Sequence, residues 1–175
     1  LATTVEDCHA MAKAVAGHPG RCFFFGLVLR YSPFYRRIKQ ILDSEEIGKI
    51  VSFEFNETLP LHHGGYIHGN WRRHRRVAGT HLLEKCCHDL DLANWFTGST
   101  PVRAAGFAGR DFFKASNSHL DEELGFSGTG GSSALRWPDP DGISPFNDDK
   151  DIADNQVAVL EYASGVRATF HTNCN

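Results

Sequence analysis

Asn155-Gln-Val-Ala-Val-Leu-Glu-Tyr-Ala-Ser-Gly-Val-Arg-Ala-Thr-Phe-His-Thr-Asn173 is the stretch whose reading decides the fold. Apolar and polar residues alternate through 155–162 and again through 166–173, the period of a strand with one wet face. Ser164-Gly165 between them has the chemistry of a tight turn, so the stretch reads as a β-hairpin. Residues 50–59 alternate in the same way, with Val51, Phe53 and Phe55 opposite Ile50, Ser52, Glu54 and Asn56. Residues 101–109 read as a further strand. The helical patterns are set apart from these strands. Thr4 and Asp7 form a capping pair before the stripe Val5, Cys8, Met11, Ala12 and Val15, and Gly17 and Pro19-Gly20 end that helix near Ala16. Ser32 and Pro33 open a second helix running to about Ser44 on an inner face of Phe34, Ile38, Ile41 and Leu42. A third helix spans 80–96, between a Thr80 cap and Gly98. A strand meander with segregated helices is an α+β architecture.

Composition bounds what that fold does. The 175 residues are 41% hydrophobic and include 13 Phe, enough for a packed core and for one domain with part of another. The net charge of −3 shows no basic excess, so a nucleic-acid partner is not expected. No apolar run reaches the roughly 20 residues of a spanning helix, and residues 1–20 lack a signal-peptide pattern. Five cysteines, with Cys86-Cys87 adjacent and no C-x-x-C, suggest buried free thiols in a reducing, cytoplasmic setting. Charge is unevenly placed. Residues 111–154 carry ten acids and three bases, whereas 71–76 read Trp-Arg-Arg-His-Arg-Arg.

Residues 21–30 hold Cys-Phe-Phe-Phe-Gly-Leu-Val-Leu, a continuous apolar run expected of a strand covered on both faces. With the helix before it, this gives residues 1–29 the flavour of the end of an α/β domain, and 30–175 form the α+β unit. Residues 60–69 read as a His/Gly-rich loop, in which His62, His63, Tyr66 and His68 either line a pocket or face solvent. A long acidic loop at about 115–150 is punctuated by Gly and Pro, with Trp137 and Phe146 as its anchors.

The helix over 80–96 carries the chemistry. His81, Glu84 and His88 fall at i, i+3 and i+7, along one face of an uninterrupted helix. A carboxylate one turn before an imidazole orients it and raises its basicity, which builds a general base near neutral pH. Three readings stay open on spacing alone. His88 is a general acid/base oriented by Glu84, or the three residues bind zinc, or the pair is structural. The absence of H-E-x-x-H weighs against metal.

These phrases together resemble the glucose–fructose oxidoreductase/inositol dehydrogenase (Gfo/Idh/MocA) family. Phe25-Gly-Leu-Val-Leu-Arg-Tyr-Ser-Pro33 resembles the exit from the family's nucleotide domain, and Ile47-Gly-Lys-Ile50 the turn that opens its second domain. Residues 79–95 resemble its Asp-x-Gly-x-His-x-x-Asp helix, and 154–165 its sheet hairpin. The resemblance implies a truncated Rossmann end over 1–29. It implies a substrate domain over 30–175 with a mostly antiparallel open sheet and helices on one face. The implied reaction is hydride transfer between NAD or NADP and a sugar, cyclitol or related polyol. In it His88 moves the hydroxyl proton and Glu84 assists. Arg30, Trp71 and Arg72 map to the cofactor side, and Asp91, Tyr31 and Tyr66 to the substrate, with Asp91 equally suited to a structural role. A homo-oligomer, dimer or tetramer, would form through the open sheet, without a membrane or nucleic-acid partner.

Three departures from the family pattern are visible: Glu84 stands for Asp, Cys86 for Gly, and Gly79-Thr80-His81 for a glycine triplet. No G-x-G-x-x-G occurs, and the family's Glu-Lys-Pro would fall before Leu1. The chain therefore reads as a segment of a longer enzyme, inactive by itself. The other outcomes compatible with the pattern are a non-catalytic association domain and an NAD-assisted glycoside hydrolase.

Overall fold

The computed structural model describes residues 2–124 and 143–174. Its elements are α1 (Val5–Ala16), a 3₁₀ turn (Val28–Tyr31), α2 (Pro33–Asp43), β1 (Ser52–Thr58), α3 (Leu61–Gly69), a 3₁₀ turn (Trp71–Arg73), α4 (Arg75–Ala78), α5 (His81–Glu84), α6 (Cys87–Thr97), β2 (Pro101–Gly109), a 3₁₀ turn (Ala115–Asn117), α7 (Leu120–Glu123), β3 (Asn155–Tyr162) and β4 (Arg167–Asn173). The strands form one sheet in the order β1-β4-β3-β2. β1 lies parallel to β4, and the other two pairings are antiparallel. The hairpin predicted from 155–173 is the β3–β4 pair, turned by Gly165 at φ 86°.

One face of the sheet packs against α6. Leu160, Tyr162, Val166 and Ala168 join Ala93 of α6 in a core flanked by Phe53, Phe55 and Leu90. Phe55 and Phe170, paired across β1 and β4, stack at 4.5 Å between centroids. The opposite face is open, and Phe107, Val157 and Val159 are exposed on it, with Phe107 at 82%. A second core joins α3 to the segment after β2 through Leu59, Ile67, Phe113, Phe146, Ile152 and Cys174. Asp154, fully buried, organises that junction. Its carboxylate accepts the backbone N–H groups of Asp111, Phe112 and Phe113 at 2.7–2.9 Å.

Four expectations are corrected. Residues 21–27 form no strand, and Phe23, Phe24 and Phe25 are exposed. A strand needs an edge to bond to, and among the described residues none runs beside this segment. The stretch 60–69 is helix α3, not a loop, because burial of Ile67, His68 and Gly69 overrides the weak helix propensity of Gly and His. The 80–96 helix is broken into α5 and α6 at Lys85-Cys86. The thiols divide: Cys86 and Cys174 are buried, but Cys8 and Cys22 are exposed. The caps match expectation at Thr4, which accepts the Asp7 N–H at 3.1 Å, and at Thr80, which accepts that of Leu83 at 3.1 Å. Trp137 lies outside the described residues, whereas Phe146 is a core anchor.

Candidate functional site

The break in the helix sets the site. In an uninterrupted α-helix, positions 81 and 86 point about 140° apart. Here both reach Thr172 on β4. The Cys86 thiol donates to the Thr172 hydroxyl at 3.5 Å, and His81 Nε2 lies 3.5 Å from the same oxygen. Beside Thr172 in the register is Glu57 of β1, which accepts from Lys85 Nζ at 2.7 Å. The corner between α5 and α6 is thus pinned to the inner face at the ends of β1 and β4.

That corner separates His81 and Glu84, both on α5, from His88 on α6. His81 is turned into the protein, 1% exposed, and burial lowers its pKa to about 4. Glu84 is only half-buried. Its carboxylate accepts from Arg72 Nε at 2.6 Å, and no hydrogen bond or ion pair joins it to His88. Arg72 is itself held flat, with its guanidinium carbon 4.2 Å from the Trp71 ring centroid and 4.6 Å from that of Tyr66. The structure therefore brings Tyr66, Trp71, Arg72 and Glu84 into one cluster in which cation–π contacts support an ion pair. The orientation of His88 by Glu84, expected from spacing, is not what the broken helix provides. The zinc reading loses its geometry as well, since among the described residues no group of three His, Cys, Asp or Glu side chains is placed to hold a metal.

His88 opens α6. It is half-buried, and its Nδ1 is buried without a hydrogen-bond partner. One turn on, Asp91 receives both Arg30 Nε and Nη2 at 2.6 Å, and Arg30 lies 5.7 Å over the Trp95 ring. Arg30 and Asp91, assigned to different ligands from sequence, are thus partners of each other. Tyr31 is exposed, its ring 6.1 Å from that of Phe24. His68 is fully buried and stacks on Phe113 at 4.7 Å. His63 stays near the cluster, edge-on to Tyr66 at 6.1 Å, and burial lowers its pKa.

Asp89 escaped the sequence reading. It is 9% exposed, Oδ2 has no partner, and burial together with Glu57 raises its pKa to about 6. It lies on the wall of an apolar cavity of about 530 Å³ between α2, β1 and α6, lined by Ile38, Leu42, Phe53, Leu92 and Phe96. The signal was present in the sequence. The alternation Phe53, Phe55, Glu57 puts a carboxylate on the inner face, and Lys85 and Asp89 are spaced i, i+4.

A sheet open on one face, a helix with His88 in its first turn and an Arg–Asp fork at the exit from residues 21–27 describe a known domain. The sequence profile of the GFO/IDH/MocA C-terminal domain matches residues 35–175. This chain belongs to the GFO/IDH/MocA family. It is 30% identical over 132 residues to the Bacillus subtilis oxidoreductase YteT, covering 74% of the chain and 31% of that protein. It is 25% identical over 124 residues to inositol 2-dehydrogenase of Ralstonia nicotianae, covering 71% and 34%. The GFO/IDH/MocA fold is shared with scyllo-inositol dehydrogenase of Lactobacillus casei, solved with bound NAD(H) and scyllo-inositol. The TM-score is 0.65 at 17% identity, over 98% of this chain and 41% of that one. The chain thus spans about a third of the length of the curated relatives it matches.

Proposed function

We propose that the protein carrying this chain is an NAD(P)-dependent oxidoreductase that oxidises a hydroxyl of a sugar, cyclitol or related polyol, with His88 as the group that takes the proton. The observation that carries the reading is the state of the charged groups around α6. Glu84 is paired with Arg72, Glu57 with Lys85 and Asp91 with Arg30, whereas His88 Nδ1 is buried with no hydrogen-bond partner among the described residues. An imidazole not engaged by these ion pairs can bond a reacting hydroxyl and exchange its proton. Dehydrogenase relatives, one of them holding NAD(H) and a cyclitol, support the reaction class.

A nicotinamide dinucleotide supplies the hydride acceptor in such a reaction. The described residues contain no glycine-rich strand-to-helix turn for its phosphates, and the guanidinium groups of Arg30 and Arg72 are engaged by carboxylates. The steps assigned to this chain are therefore its own. His88 accepts the proton of the reacting hydroxyl and returns it in the reverse direction. Glu84, whose carboxylate is held by Arg72, assists only as a fixed negative charge on the element before His88 and not by orienting its ring. The half-exposed Trp71 and the Tyr66 ring beside it offer aromatic faces toward cofactor and polyol, and Tyr31 is carried as a further substrate contact. The apolar outer face of the sheet suits association into a homodimer or tetramer.

A thermal-shift screen of the full-length polypeptide tests the reading. Ligands that bind the native state raise its melting point. NAD(H) or NADP(H), with a cyclitol or sugar, is expected to do so. A melting point unmoved by either nucleotide overturns it.

A further inference from the structure

We infer that Arg30 and Asp91 are one positioning unit that fixes the helix carrying His88, and not separate contacts to nucleotide and polyol. This rests on the reading of His88 given above. The juxtaposition follows from the broken helix. His88, Asp91 and Trp95 stand at i, i+3 and i+7 on α6, along a single stripe. Arg30 lies across that stripe beginning one turn beyond His88, with its two forked N–H groups on the two oxygens of Asp91 and its charge over Trp95.

The chemistry of the pair argues against free ligand contacts. The Asp91 side chain is only 12% exposed, and both of its oxygens are occupied at 2.6 Å. A bidentate guanidinium–carboxylate bond is directional and roughly twice as strong as a neutral hydrogen bond. A polyol hydroxyl would have to displace it and leave Arg30 unpaired.

The placement of the pair gives it a task. The start of α6 is pinned to the sheet through Lys85–Glu57 and Cys86–Thr172. Ala93 and Leu90 seat the helix on the sheet core. Arg30 adds a tie from outside the sheet, in the 3₁₀ turn that precedes α2. The same turn continues directly from residues 21–27, whose phenylalanines are exposed. Whatever packs on that segment is coupled through Arg30 to the orientation of His88.

The test is a double-mutant cycle in the full-length polypeptide, read both by turnover and by thermal melting. Arg30→Ala and Asp91→Ala are each expected to lower kcat about 10- to 100-fold, while KM for nucleotide and for polyol changes by less than about threefold. The double variant is expected to be no worse than either single one. Arg30→Lys, which keeps the charge and loses the fork, is expected to lose nearly as much as Arg30→Ala. Added ethylguanidinium is expected to recover Arg30→Ala but not Asp91→Ala. Losses that multiply in the double variant overturn the inference. So does a loss carried by the nucleotide KM for Arg30 and by the polyol KM for Asp91. Melting-point changes that simply add overturn it without reference to turnover. A wild-type polypeptide that turns over no polyol with either nucleotide overturns instead the reading of the site, and the two failures are distinct.

Discussion

Asp89 is a carboxylate placed among Leu92, Phe96 and Phe53, with one oxygen unpartnered. Burial is the main cause of its raised pKa, followed by Glu57, while Lys85 and His88 oppose it. The folded state holds this proton more tightly than the unfolded state does. The stabilisation is therefore complete below the unfolded value near 3.8 and is lost as pH rises through about 6. Asp89→Asn is expected to be more stable than the parent at pH 8 by about 1–2 kcal/mol and equal to it near pH 4, as measured by urea unfolding at the two pH values. An Asn variant that is less stable at both contradicts the assignment. His68 and His81 act with the opposite sign. Their pKa values are lowered by burial, so their contribution is lost as pH falls from 6.5, and only the variant-minus-parent difference isolates Asp89. Spacing placed His81, Glu84 and His88 on one stripe. It could not reveal that Glu84 turns to Arg72, because that choice is made by the bend at Lys85-Cys86 and by a partner twelve residues upstream.

At the scale of elements, the four strands and helices α1 and α2 were legible because each is marked locally, by alternation, a cap or a proline. Besides the helix over 80–96, which is broken, two elements were misread because they depend on something distant. The apolar run at 21–27 has strand composition but no neighbouring edge. Helix α3 has loop composition but a core to pack against. Gly64 shows what α3 requires. A Cβ there would meet the Cys174 carbonyl oxygen at 2.2 Å and the Phe113 ring at 2.5 Å. Gly64→Ala is expected to destabilise by about 1–3 kcal/mol, or to melt α3 away from the end of β4. Gly26→Ala, where nothing lies within 4 Å, is expected to stay within about 0.5 kcal/mol of the parent. Equal melting points for the two variants contradict the packing described for α3.

For the whole molecule, the sheet divides labour between its faces. One is covered by α6 and fixes the corner before His88. The other presents Phe107, Val157 and Val159 to the outside, in register across β2 and β3. Phe107→Glu, which puts a charge in the middle of that patch, is expected to shift the sedimentation of the full-length polypeptide from dimer or tetramer to monomer with little change in thermal stability. An unchanged oligomer removes this face as the interface. The fold class and the open sheet were readable from the hairpin, since a one-residue slip would exchange the two faces. The charge pairing was not readable, because Glu57, Glu84 and Asp91 each meet a base distant in sequence.

The most direct test of the account is the turnover of His88→Ala in the full-length polypeptide, followed across pH with the polyol and nucleotide that the wild type accepts. A loss in kcat of about 10²-fold or more is predicted, together with disappearance of the wild-type inflection that reports the imidazole. Near-normal turnover with that inflection intact would contradict it.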